Sequence, residues 1–131
     1  MMVADSDVLI DALRGRKVAM ERIGFELRAG GLATTAITAF ELRSGARTKK
    51  ERDKVDVLLG ALTILPFDAS AADAAAEARR ALEQRGEGIG MADYLIAGIC
   101  LARSAVLLTR NRKHFERVLG LKVSHGDFEG E

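Results

Sequence analysis

The chain has no tryptophan and only one tyrosine in 131 residues, which leaves little aromatic surface on which unpaired bases could stack. Its one cysteine, Cys100, cannot form an intrachain disulfide. The apolar setting Ile99-Cys100-Leu101 marks it as a core thiol rather than a nucleophile. Neither sign of charge dominates: 20 Lys and Arg face 19 Asp and Glu, a net charge of +1. Any nucleic-acid binding must therefore come from local clusters. No apolar run approaches the length of a membrane span, and acidic residues interrupt the first one. No membrane segment or signal peptide is expected, and the location expected is the cytoplasm. What is present, 48% hydrophobic and 30% charged residues, has the balance of a globular protein. The length suits one domain over 1–131, burying about two-thirds of its unfolded surface.

The chain is organised around Met2-Val3-Ala4-Asp5-Ser6-Asp7-Val8-Leu9-Ile10-Asp11. Met2 to Ala4 read as a short buried strand, whereas Val8, Leu9, Ala12 and Leu13 recur at helical spacing. Ser6 or Asp7 is expected to cap that helix. Asp5 then falls at the carboxyl end of a central strand, where open α/β sheets place their ligand crevice.

The rest alternates in the same way. Helices are predicted from Lys17 to Arg28, stopped by Gly30-Gly31, then from Ala36 to Arg47 and from Lys49 to Leu62. Short strands are predicted at Leu32 to Thr35 and Thr63 to Pro66. Asp68 or Ser70 opens an alanine-rich helix to about Gln84, and Gly86 to Gly90 reads as a flexible loop. Met91 to Arg103 is strongly apolar and helical, with Asp93 in the first turn, where the helix dipole favours negative charge. Val106 to Thr109 has the continuous apolar character of a central parallel strand, and Leu121 to Val123 suits an edge strand. Alternating strands and helices imply an α/β fold: a three-layer sandwich with a parallel sheet of four to five strands.

Four places carry chemistry: Asp5, Glu41 beside the apolar Phe40 and Leu42, Asp93, and the turn Thr109-Arg110-Asn111. On these the chain resembles PIN-domain nucleases, especially the small ribonuclease toxins of VapBC toxin–antitoxin pairs. Asp5-Ser6-Asp7-Val8-Leu9-Ile10 is similar to the opening motif of that family. Thr38 to Gly45, with Glu41, is similar to the second motif; Gly90 to Ala97, with Asp93, to the third; and Leu108 to Phe115 to the fourth. D-x-D also opens haloacid-dehalogenase-type phosphatases, but those place threonine or valine where Leu9 stands.

The resemblance implies a PIN-like fold and a Mg²⁺-dependent endoribonuclease, with Mn²⁺ as a substitute. It also implies neutralisation by a cognate VapB-like antitoxin, a homodimer, and transfer or ribosomal RNA as substrate. Asp5, Glu41 and Asp93 are assigned to the metal, and hard carboxylate oxygens suit such cations. Ser6 and Thr109 are supporting hydroxyls, and ordinary turn hydrogen bonding suits them equally. Asn111 stands where many relatives carry aspartate and brings no charge, which leaves room for an alternative: a catalytically weak or inactive PIN-like module that binds RNA or protein.

Arg43, Arg110, Arg112 and Lys113 are the candidate RNA contacts. A second basic run, Arg47 to Lys54, is laced with Glu51, Asp53 and Asp56 and reads as a solvated helix face. Asp7 is read as a cap and Asp11 as a solvated surface charge. His114 reads as a phosphate contact or a packed side chain, and His125 carries no signal.

Overall fold

Val3 and Ala4 are adjacent in the chain, yet they serve opposite faces of one sheet, because successive strand residues point to opposite sides. In the computed structural model, which describes residues 1–124, five parallel strands lie in the order β3-β2-β1-β4-β5. They are β1 (Met2–Ala4), β2 (Ala33–Thr35), β3 (Thr63–Leu65), β4 (Val106–Leu108) and β5 (Lys122–Val123). In the central pair, Val3 stands opposite Leu107 and Ala4 opposite Leu108. Val3 and Leu107 belong to one apolar cluster, with Leu82, Ile96, Ile99 and Phe115. Ala4 and Leu108 belong to the other, with Val8, Leu9, Ile23, Val55 and Leu59.

Helices cover both faces, giving the expected α/β/α sandwich. α1 (Ser6–Leu13), α2 (Lys17–Ala29) and α4 (Lys49–Gly60) pack on the Ala4 face. α5 (Ala69–Gln84), α6 (Met91–Ala102) and the single turn α7 (Arg112–Phe115) pack on the Val3 face. α3 (Ala36–Gly45) spans the two layers, sending Leu42 into the Ala4–Leu108 cluster and Ile37 against the Val3–Leu107 cluster. The alanines of α5 let α6 approach closely. A Cβ at Gly98 would stand 2.5 Å from the Ala71 carbonyl oxygen and 2.6 Å from Ala75 Cβ.

Several local expectations shift. α1 is capped by Asp5, whose carboxylate accepts from the Ser6 N–H, rather than by Ser6 or Asp7. Asp68, not Ser70, caps α5 by accepting from the Ala71 N–H at 3.0 Å. α3 and α4 each end two residues early, at Gly45 and Gly60. α7 was not expected at all. Gly30 stops α2 in a backbone conformation, φ +147°, that side chains rarely adopt. No helix among the described residues is long and apolar enough to cross a membrane. His125 lies outside the described residues.

Candidate active site

The sheet order reverses at β1. The chain runs from β1 outward to β2 and β3, then crosses back to place β4 on the other side of β1. The carboxyl ends of β1 and β4 thus frame a topological switch point, the crevice where such sheets bind ligands. Asp5 follows β1 and Thr109 follows β4, so both are held there by backbone already committed to the sheet.

Asp5 is buried and tightly held. Its Oδ1 accepts from the Ser6 N–H at 2.8 Å and its Oδ2 from the Thr109 hydroxyl at 2.7 Å. The Thr109 oxygen accepts in turn from the Asn111 N–H at 2.9 Å. Burial, and then the charge of Asp7, push the Asp5 carboxyl up to about 7, while these hydrogen bonds pull against the rise. Asp93 adds a smaller repulsion.

Glu41 comes from the middle of α3, the helix that spans both layers and touches α1 and α6. Burial and the charge of Asp93 raise its pKa, and a hydrogen bond from the Ser6 side chain lowers it. Its Oε1 is buried without a hydrogen-bond partner. Asp93 lies in the first turn of α6 and is also raised by burial, against the opposing pull of His114, whose Nδ1 stands 3.7 Å from Asp93 Oδ2. His114 thus faces the acidic centre. The charge of Asp93 thus reaches both Asp5 and Glu41, carboxylates carried by separate elements.

Asn111 Nδ2 lies 3.2 Å from His114 Nδ1, so its amide contacts the side chain that faces Asp93. Ser6 and Thr109 both act on carboxylates, beyond the turn role that was equally open to them.

Asp7 and Asp11 are not the cap and the solvated charge that local spacing suggests. Asp7 Oδ2 accepts from the Arg110 N–H at 3.0 Å and lies 3.3 Å from the Thr109 hydroxyl. Its Oδ1 is buried without a partner, and burial raises its pKa. Asp11 is buried and bound to Arg110. Both residues pin α1 to the turn after β4. Their spacing of four put them correctly on one helical face; the partner on that face lies about a hundred residues away.

Of the expected RNA contacts, Lys113 is exposed and Arg112 is half-buried with interactions of its own. Arg43 is paired with Asp56 at 2.6 Å and Arg110 with Asp11. The basic run on α4 is a laced face as expected: Lys49 pairs with Asp53, and Thr48 and Glu51 form a reciprocal capping box. Cys100 is fully buried, and burial pushes its thiol up to about 12, so it is inert at neutral pH.

The donor set suits a hard divalent cation: oxygen ligands only, mutual repulsion to be relieved, and an unpartnered Glu41 oxygen. No three His, Cys, Asp or Glu side chains among the described residues stand close enough to enclose an ion. Mg²⁺ does not require that, because it keeps several waters and takes one or two carboxylates directly.

The PIN domain family profile matches residues 2–121. The tRNA(fMet)-specific endonuclease VapC of Shigella flexneri is 29% identical over 123 residues, 91% of this chain and 92% of that protein. Ribonuclease VapC10 of Mycobacterium tuberculosis is 34% identical over 122 residues, 93% of this chain and 91% of that one. Among solved structures, VapBC2 from Rickettsia felis, bound to a DNA fragment from its promoter, superposes with a TM-score of 0.87 at 27% identity. That match covers 94% of this chain and 96% of the other.

Proposed function

This chain belongs to the PIN domain family, and from that membership we propose that it is the ribonuclease toxin of a VapBC-type toxin–antitoxin pair. The observation that carries the proposal is the gathering of Asp5, Glu41 and Asp93 at the switch point, each raised by burial and two of them by a neighbouring carboxylate's charge. Such an arrangement is unfavourable without a counter-charge.

Asp5, Glu41 and Asp93 would hold Mg²⁺, directly or through its waters, with Mn²⁺ able to replace it. The bound ion would make a water nucleophilic at neutral pH and stabilise charge on the phosphodiester during in-line cleavage. The chain's own groups do the rest. Thr109 and the Ser6 N–H fix both oxygens of Asp5, and the Ser6 side chain orients Glu41. His114 and Asn111 contact each other beside Asp93. Lys113 and Arg112, just past β4, stand beside this centre to receive backbone phosphates. The substrate of the Shigella relative, a transfer RNA, supports a structured RNA as the target.

A VapB-like antitoxin in the same cytoplasmic compartment completes the reading, along with a second copy of the chain. Exposed apolar surface borders the site: Phe40, next to Glu41, is 70% exposed. A cleft of about 310 Å³, lined by Ile10, Leu13, Leu42 and Val55, reaches Glu41. Exposed apolar side chains beside a cleft are what a protein partner covers.

The test is cleavage of a panel of transfer and ribosomal RNAs with Mg²⁺ and with chelator, comparing the wild type with Asp93→Asn. Mg²⁺-dependent cleavage by the wild type alone is expected. A folded Asp93→Asn protein cutting at the wild-type rate would refute the site. RNA binding without cleavage by either protein would assign the chain to the inactive binding modules.

A further inference from the structure

We propose that Asp11 holds Arg16 and Arg110 together as a phosphate-binding subsite for RNA, set along α1 from the carboxylate centre. The inference rests on the ribonuclease reading above and adds Asp11 and Arg16 to the residues that reading uses. The Asp11 side chain is only 5% exposed. Its Oδ2 meets Arg110 Nε at 2.8 Å and its Oδ1 meets Arg110 Nη2 at 3.2 Å, a two-pronged contact that fixes the guanidinium plane. Arg16 Nε stands 3.6 Å from the same Oδ1, close enough for attraction but too long for a hydrogen bond. The Arg16 backbone N–H donates to the Asp11 carbonyl at 3.0 Å, so the turn after α1 carries Arg16 to this place.

Two cations therefore share one buried anion. Pinning the turn after β4 to α1 needs Arg110 alone, and Arg16 is left over. Its side chain is 49% exposed and that of Arg110 is 44% exposed. The Arg16 guanidinium has no hydrogen-bond acceptor among the described residues. Asp7 also faces Arg110, so the charges of the cluster balance; what it offers a phosphate diester is a set of exposed, oriented guanidinium N–H donors.

Its position fits RNA. Asp11 is one helical turn past Asp7, about 6 Å along the axis, and Asp7 accepts the Arg110 N–H at the edge of the centre. A strand with its scissile phosphate at Asp5 would lay a flanking phosphate on the two arginines. Affinity gained there is ionic, so it is read from salt dependence.

The experiment uses the full chain carrying Asp93→Asn, which leaves RNA uncut, and a fluorescein-labelled single-stranded RNA oligonucleotide, in chelator. Anisotropy titrations at several KCl concentrations give the slope of log affinity against log salt. Adding Arg16→Gln should reduce the slope by about 0.7, the value for one lost phosphate contact on a single strand. Arg16→Lys should keep it, and thermal melts should show both variants folded. Arg110→Gln should lower the slope as well, but it also releases the turn, so Arg16→Gln carries the test. An unchanged slope for a folded Arg16→Gln protein overturns the subsite while the ribonuclease reading stands. A parent that binds no RNA at any salt likewise overturns the subsite, while the ribonuclease reading is decided by the cleavage panel. Poly-glutamate binding that weakens on Arg16→Gln, with RNA binding unaffected, would overturn the RNA assignment in favour of an acidic protein partner.

Discussion

The Thr109 hydroxyl donates to Asp5 Oδ2 across 2.7 Å, joining residues that are 104 positions apart. The same oxygen accepts the Asn111 N–H, so one hydroxyl sets both the first carboxylate of the site and the turn that carries Asn111. The bond lies across the β1–β4 pair, where Ala4 faces Leu108 in register. Strand register, rather than loop conformation, thereby fixes the position of Asp5.

Replacing Thr109 with valine keeps the shape and removes the bond. Asp5 then keeps one donor instead of two, and the Asn111 N–H loses its acceptor. Unsatisfied buried groups cost about 1–3 kcal/mol each, so Thr109→Val should lower the melting temperature and raise the Mg²⁺ concentration at half-maximal cleavage. Thr109→Ser should restore both. If valine and serine gave the same metal midpoint as threonine, the hydroxyl would have no part in positioning Asp5.

A second expectation concerns pH in the presence of chelator. The Asp5 carboxyl is raised from 3.8 to about 7 in the folded state, so between those values the folded chain holds a proton that the unfolded chain has released. Its contribution to stability is complete below about pH 4 and is lost as pH rises through 7. The scale is a few kcal/mol for a shift of this size. Asp5→Asn carries no such charge. Measured in chelator, it should melt above the wild type at pH 8, and the gap should narrow as pH falls toward 4. Added Mg²⁺ should raise the wild type more than the variant by mass action. A gap independent of pH would mean that Asp5 is not the residue titrating.

The order and type of the long elements were legible in the sequence because each repeats one period over several residues. The three carboxylates were legible only as members of separate motifs; their convergence depends on α3 spanning both layers, which no local spacing encodes. Asp11 shows what was hidden. Its partner, Arg110, comes from another strand's end and covers it, and a helical wheel cannot distinguish such a face from a wet one. Phe25, Phe40 and Val57 show the converse: apolar residues on predicted helices that the fold leaves exposed. The turn α7 escaped notice because four residues, three of them basic or histidine, carry too short a pattern.

The last expectation tests Asn111, the departure from a fully acidic site. Its side chain contacts His114, which faces Asp93, so Asn111→Asp adds a negative charge to the group that already includes Asp5, Glu41 and Asp93. Without metal the added repulsion should lower the melting temperature at neutral pH. With metal the same charge attracts: at an effective dielectric of 20, unit charges 4 Å apart interact by about 4 kcal/mol before desolvation is counted. The Mg²⁺ or Mn²⁺ midpoint should therefore fall, and the metal-induced rise in melting temperature should exceed that of the wild type. Tighter binding of the ground state does not by itself lower a barrier, so the midpoint carries the test and the maximal rate does not. Calorimetric titration with Mn²⁺ on uncut protein gives the midpoint independently of turnover. An unchanged midpoint in folded Asn111→Asp would place residue 111 outside the ion's reach and leave the centre to Asp5, Glu41 and Asp93.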